Sequence, residues 1–110
     1  MSEWNTLVGL VVLSHEVKGD DLELVTDRGT VLLRADGDCC SHTWVERVIG
    51  ELRGRIENVE AVDMPDLGDL PDHDVMKYYG LRITTDVGSA VVDFRNDSNG
   101  FYGGYLVVDA

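Results

Sequence analysis

Lysine is almost missing from this chain. Lys18 and Lys77 are its two, and with seven arginines they face twenty-one acids, for a net charge of −12. Such a surface repels phosphate backbones and anionic lipid, so direct nucleic-acid and membrane binding are not expected. Cysteine is confined to the adjacent pair Cys39 and Cys40. Neighbouring cysteines cannot staple distant segments, which excludes a disulfide framework and fits a reducing cytosol. No apolar run approaches the ~18 residues of a membrane span; the longest, "LVGLVVL", is strand-sized. The start "MSEWNTLVG" lacks the basic residues of a signal peptide. A cytoplasmic protein is the expectation.

What is present reads as one domain, residues 1–110, with a single modest core. Branched apolar residues in "TLVGLVVLSHEV" predict a strand over 6–17, and "LELVTD" alternates Leu22, Leu24 and Thr26 against Glu23, Val25 and Asp27. With "TVLLRADG" these form a predicted three-stranded meander. The period then changes. Trp44, Val45, Val48, Ile49 and Leu52 fall on one face of a helix over about 41–53. Thr43 and Glu46 have capping-box spacing, and Gly54 suits the position after the last turn. Strands follow in "RIENVEAVDM", "MKYYGLRITTD", "SAVVDFRND" and "GYLVVDA", the middle two joined by the hairpin signal "DVGS". No internal repeat is visible. The expected fold is α+β: an antiparallel sheet of about six to seven strands with one amphipathic helix packed on a face.

Cys39 and Cys40 stand where strand was to become helix. A helix N-terminus stabilises a thiolate, and His15, His42 and His73 are the candidate bases for a cysteine hydrolase. The glycines that flank the nucleophile of papain-like proteases are absent, and adjacent cysteines rarely reach one tetrahedral zinc. Packing at the junction is favoured, with Cys40 the buried member. The acids Asp63, Asp66, Asp69, Asp72 and Asp74 surround Pro65, Leu67, Leu70 and Pro71. They read as a solvated loop with apolar anchors rather than a cation site. Neither a metal nor a cofactor is expected.

A second unusual stretch is "RNDSNGFYGG". Asn99-Gly100 is a turn dipeptide, and Gly103-Gly104 allows a bulge or a close backbone approach. Arg95 and Leu106 occupy the ligand positions an EF-hand gives to acids, so a calcium loop is excluded. Phe101, Tyr102 and Tyr105 beside amide side chains are the materials of a small-molecule site.

Together, "GDCCS" (Gly37 to Ser41) and "RNDSNGFYGG" (Arg95 to Gly104) resemble the two motif blocks of an uncharacterised family of small phage and prophage proteins. Those blocks read G-D-C-C-S and R-N-S-S-N-G-Y-Y-G-G; here Asp97 stands for a serine and Phe101 for a tyrosine. The resemblance implies a phage origin and life inside an infected cell, and it carries no chemistry. The leading expectation is a non-enzymatic phage binding module, homo-oligomeric, that sequesters a nucleotide-like ligand or a host factor. Its ligand-binding residues would be Asp38, Cys39, Cys40, Ser41, Trp44, Arg95, Asn96, Asn99 and Tyr102. The helix N-terminus would hold an anion, with Arg34, Arg82 or Arg95 supplying charge. The alternative is an acidic DNA-mimic decoy of a host protein, using Asp20, Asp21, Asp36 and the acids of 63–74; the second alternative is a cysteine hydrolase.

Overall fold

The computed structural model describes residues 3–37, 42–63, 75–98 and 104–109. A short 3-10 turn, Glu3–Leu7, precedes eight strands among these residues. They are β1 (Val11–Lys18), β2 (Asp21–Thr26), β3 (Gly29–Gly37), β4 (His42–Gly50), β5 (Gly54–Asp63), β6 (Val75–Thr85), β7 (Ser89–Ser98) and β8 (Gly104–Asp109). Every pairing is antiparallel, in the order β4-β7-β6-β5-β1-β2-β3-β8. Among the described residues the protein is nearly all sheet, with no α-helix, and the expected α+β class is overturned.

The sheet divides into two four-stranded halves, β1-β2-β3-β8 and β5-β6-β7-β4. Between β1 and β5 they pair at Val11 with Arg55 and Val12 with Gly54, and two backbone bonds continue the join, Gly9 N–H to Ile56 O and Ile56 N–H to Leu10 O, both at 2.8 Å. So short a ladder needs help, and each half supplies the same device. Asp27, in the β2–β3 turn, donates its amide to Val11 O at 3.0 Å while its Oδ1 accepts the Val11 amide at 3.0 Å. Asp86, in the β6–β7 turn, treats Arg55 alike, at 3.1 and 2.8 Å.

Both aspartates sit in a T-D-x-G turn, Thr26-Asp27-Arg28-Gly29 or Thr85-Asp86-Val87-Gly88. In each, the threonine hydroxyl accepts the amide two residues on, at 3.2 Å from both Arg28 and Val87. The second and fourth residues after each turn glycine point inward: Val31 and Leu33 in one half, Ala90 and Val92 in the other. The β1–β2 register shifts between Val12 and Ser14, and the β5–β6 register between Ile56 and Asn58. The halves are therefore an approximate repeat about the seam. The sequence hid it, because the connections between matching strands differ in length.

Buried side chains of both halves form one core. Leu22, Leu24 and Leu33 meet Ile56, Leu81, Ile83 and Phe94 in it. Each stabilises the fold by roughly 1.5–3 kcal/mol relative to exposure. The 3-10 turn adds Leu7, and Trp4 donates its indole N–H to Leu106 O at 3.2 Å, fastening the chain start to β8.

The expected helix over 41–53 is strand β4 because a bulge imitates helical spacing. Opposite β7, Val45 faces Phe94 and Arg47 faces Asp93, so Glu46 is an extra residue. Before it the inward positions are Thr43 and Val45; after it the inward position is Val48. One inserted residue thus converts a period of two into an i, i+3 step. Trp44 is only half-buried on the outer face and Ile49 is 43% exposed, so the supposed apolar face is split. The expected capping box is also taken apart: Thr43 accepts from Asn96 and Glu46 from Trp44.

Gly50 separates the two readings by sign. It ends β4 with φ +97°, and a Cβ there would lie 2.7 Å from Ser89 O. Gly50→Ala should therefore destabilise the protein by about 1–3 kcal/mol in urea unfolding. Within a helix the same change would stabilise by roughly 0.5–1 kcal/mol.

Candidate ligand site where the motif blocks meet

The two motif blocks are strand neighbours. Gly37 pairs with Gly104 across β3 and β8, while His42, Thr43 and Trp44 of β4 pair with Asp97, Asn96 and Arg95 of β7. Successive strand residues face opposite ways, so the blocks build two different surfaces.

The outer surface is an ion-pair cluster around Asp93, which is fully buried. Arg47 Nε donates to Asp93 Oδ2 at 3.1 Å; Arg95 donates to the same oxygen from Nη2 at 3.2 Å and to Oδ1 from Nε at 3.4 Å. Arg95 also lies 5.0 Å from the Tyr78 ring centroid and 3.9 Å from Glu46. Burial works against its charge, but the hydrogen bond and charge of Asp93, with Glu46 and Tyr78, outweigh this and push its pKa above the ordinary value. Arg95 is charged and already committed. Glu46 accepts the Trp44 indole N–H at 2.8 Å, and Trp44 packs 5.1 Å from the His42 ring. His42 Nε2 lies 2.9 Å from Asp20 Oδ2, both side chains more than half exposed.

The inner surface is polar at one point and aromatic around it. Asn96 is fully buried and donates from Nδ2 to Thr43 Oγ1 at 2.8 Å. Its Oδ1 has no hydrogen-bond partner among the described residues. Gly104 passes so close that a Cβ would collide with Thr43 Oγ1, sit 2.7 Å from Thr43 Cγ2 and 3.0 Å from Asn96 Nδ2. This is the close approach the glycine pair suggested. Gly104 N–H points to the Tyr79 hydroxyl at 3.4 Å, and Tyr79 stacks on Phe94 with centroids 5.1 Å apart.

Beside this point opens a cavity of about 350 Å³ lined by Trp4, Tyr78, Tyr79, Phe94, Gly104 and Tyr105, with aliphatic wall from β5. Five of the chain's eight aromatic residues line it. Its walls come from β5, β6 and β7 of one half and β8 of the other, so it exists only when the halves close on each other. A wider, open groove of about 620 Å³ runs between Leu13–His15 and Gly50–Arg53. The groove lacks any aromatic side chain, so the smaller cavity is the stronger ligand site.

Of the expected site residues, Trp44 and Arg95 fall on the outer surface and Asn96 on the inner one. Asp38, Cys39, Cys40, Ser41, Asn99 and Tyr102 lie outside the described residues, as does the acidic stretch 64–74. The helix N-terminus that was to hold an anion and activate a thiol is replaced by a strand, which has no comparable dipole. Trp4, Tyr78, Tyr79 and Phe94 were missed. Nothing local marks them, because their proximity depends on strand register. Among the described residues no three metal-ligating side chains gather, and no helix is long and apolar enough to cross a membrane.

A family model described as "Domain of unknown function (DUF7448)" matches residues 5–108, and the chain belongs to that family. It is similar to "Uncharacterized protein L278" of Acanthamoeba polyphaga mimivirus, 28% identical over 85 residues. That alignment covers 70% of this chain and 66% of the viral protein, just under two thirds of the relative's length. No solved structure matches the chain.

The ion-pair cluster yields a stability ordering. Asp93→Asn leaves the largely buried Arg95 guanidinium without its carboxylate partner and should cost about 3–5 kcal/mol. Arg47, whose side chain is 54% exposed, should cost about 1 kcal/mol or less as Arg47→Gln. Urea titration of both variants and the double variant checks this, with non-additivity expected because the groups touch.

Proposed function

We propose that this protein is a non-enzymatic binding module that holds a small, largely apolar ligand in the aromatic cavity between its halves. The observation that carries the reading is the gathering of five aromatic residues from five separate positions, 4, 78, 79, 94 and 105, around one opening. Close-packed cores contain few voids larger than a water molecule, so a cavity of about 350 Å³ bordered by these residues stands out. The resemblance of the motif blocks, with the similarity to a viral protein, supports a phage module acting in the infected host cell. There its ligand would be a host small molecule or a group presented by a host factor.

A phosphorylated, nucleotide-like ligand fits this cavity poorly. The arginines that could have met a phosphate are engaged elsewhere: Arg34 with Asp36 at 3.3 Å, Arg82 with Glu60 at 3.7 Å and Arg95 with Asp93 at 3.2 Å. The DNA-mimic reading loses support for a parallel reason. Asp20 meets His42, Asp21 accepts the Ala35 amide and Asp36 meets Arg34, so these candidate decoy acids serve the fold itself. The hydrolase reading would need a thiol on the His42 ring. The described residues offer only the exposed His42–Asp20 pair toward it.

Fluorescence and calorimetry test the proposal. In Trp44→Phe the remaining indole, Trp4, reports from the cavity wall. Titration with nucleosides, nucleotides, neutral aromatics and small amines should give saturable binding by at least one compound without phosphate. Tyr105→Ser should abolish that binding with little loss of stability, because Tyr105 is 46% exposed. Silence from every compound, or nucleotides binding more tightly than their nucleosides, would contradict the proposal.

A further inference from the structure

We infer that a second cavity, beside the β2–β3 turn, holds a short aliphatic carboxylate on Arg28. This cavity has a volume of about 230 Å³ and shares no lining residue with the aromatic one. Leu7, Leu10, Val31 and Val108 supply its apolar wall, and Arg28 with three threonines supplies the polar part. Leu7 and Val31 are buried core residues, so the cavity reaches the margin of the core. Among the described residues no carboxylate lines it, and its single charged side chain is positive.

Most cations of this acid-rich chain are already paired. Lys18, Arg34, Arg47, Arg53, Arg82 and Arg95 each meet a carboxylate. Arg28 has no such partner among the described residues, and the adjacent Asp27 turns its Oδ1 to the Val11 amide. The turn itself does not call for an arginine, since Val87 takes the same place in the twin T-D-x-G turn and is 57% exposed.

The chemistry of the lining selects the ligand. A guanidinium presents a planar fork of donors that matches a carboxylate bidentately. An alkyl chain behind that carboxylate would leave water for the leucine and valine wall, and the gain grows with each CH₂ buried. The volume equals that of about seven or eight molecules of liquid water, which suits a short chain. The net charge of −12 disfavours polyanions. A single carboxylate on Arg28 is screened from acids more than about 8 Å away at physiological salt.

The test titrates the chain with hexanoate, hexanamide and acetate, followed by the amide resonances of Thr30, Val31 and Val108. Hexanoate and hexanamide share shape and differ in charge, while acetate keeps the charge and lacks the tail. Hexanoate should bind at least about tenfold more tightly than either. Arg28→Val copies the twin turn, so it should keep the urea midpoint and lower hexanoate affinity to that of hexanamide. Arg28→Gln, which keeps a long polar side chain without the charge, should do the same and guards against a folding defect in the first variant. Tyr105→Ser, which alters only the aromatic cavity, should leave hexanoate affinity unchanged. Equal affinity for acid and amide overturns the inference, as does hexanoate binding that survives both Arg28 variants. Loss of hexanoate binding in Tyr105→Ser would place it in the aromatic cavity and overturn the inference too. So would the absence of saturable hexanoate binding, a result that leaves the proposal for the aromatic cavity to its own panel of compounds.

Discussion

The fold hangs on a short seam between β1 and β5, two strand pairs continued by the backbone bonds of Ile56 to Gly9 and Leu10. Val11 and Arg55 are partners in it, and each is gripped on backbone N–H and C=O by an aspartate from a T-D-x-G turn of its own half. A carboxylate accepting a backbone amide is among the stronger hydrogen bonds a surface residue makes. These reciprocal bonds leave the N–H and C=O of both Val11 and Arg55 satisfied. Once the seam is set, the halves must bring their apolar faces together, since neither alone can bury leucines of the kind found at 22, 24, 81 and at Ile83. The aromatic cavity is a consequence of that closure.

The same seam explains part of the acidic composition. Asp21, Asp27 and Asp86 accept backbone amides at strand ends and turns. Glu23, Glu51 and Glu60 pair with exposed Lys18, Arg53 and Arg82, contacts that water screens and that add little to stability. Asp93 differs from all of them. It is buried between two guanidinium groups at the bulged β4–β7 pair, where a one-residue shift would separate Arg47 from it. Its role is to fix register.

Much of the strand pattern was legible. The alternation of Leu22, Leu24 and Thr26, and the hairpin at "DVGS", follow from period-two burial and turn chemistry, which are local. The helix over 41–53 was misread because the Glu46 bulge moved the inward position from Val45 to Val48. The correcting signal was composition: Thr43, Val45, Val48 and Ile49 are β-branched, and such residues favour strands. The repeat escaped because three shared turn residues are few, and the loops around them differ. For the candidate site, the sequence singled out residues of β4 and β7 but not the face each presents. Trp44 and Arg95 stood out as chemically rich, yet their strand phase turns them outward. Nothing local singles out Tyr79 and Phe94, and only register brings them beside Gly104.

The central claim is that ligand binds between the halves, at the cavity that seam closure creates. Nuclear magnetic resonance of the native chain, titrated with nucleosides, neutral aromatics and small amines, tests it directly. For a compound that binds, the Trp4 indole N–H and the amides of Tyr79, Gly80, Gly104 and Tyr105 should shift together and saturate at one concentration, with the Trp44 indole unmoved. Shifts confined to Trp44, Arg47 and Arg95, or to the groove between Leu13 and Gly50, would contradict the account, as would a spectrum that none of these compounds changes.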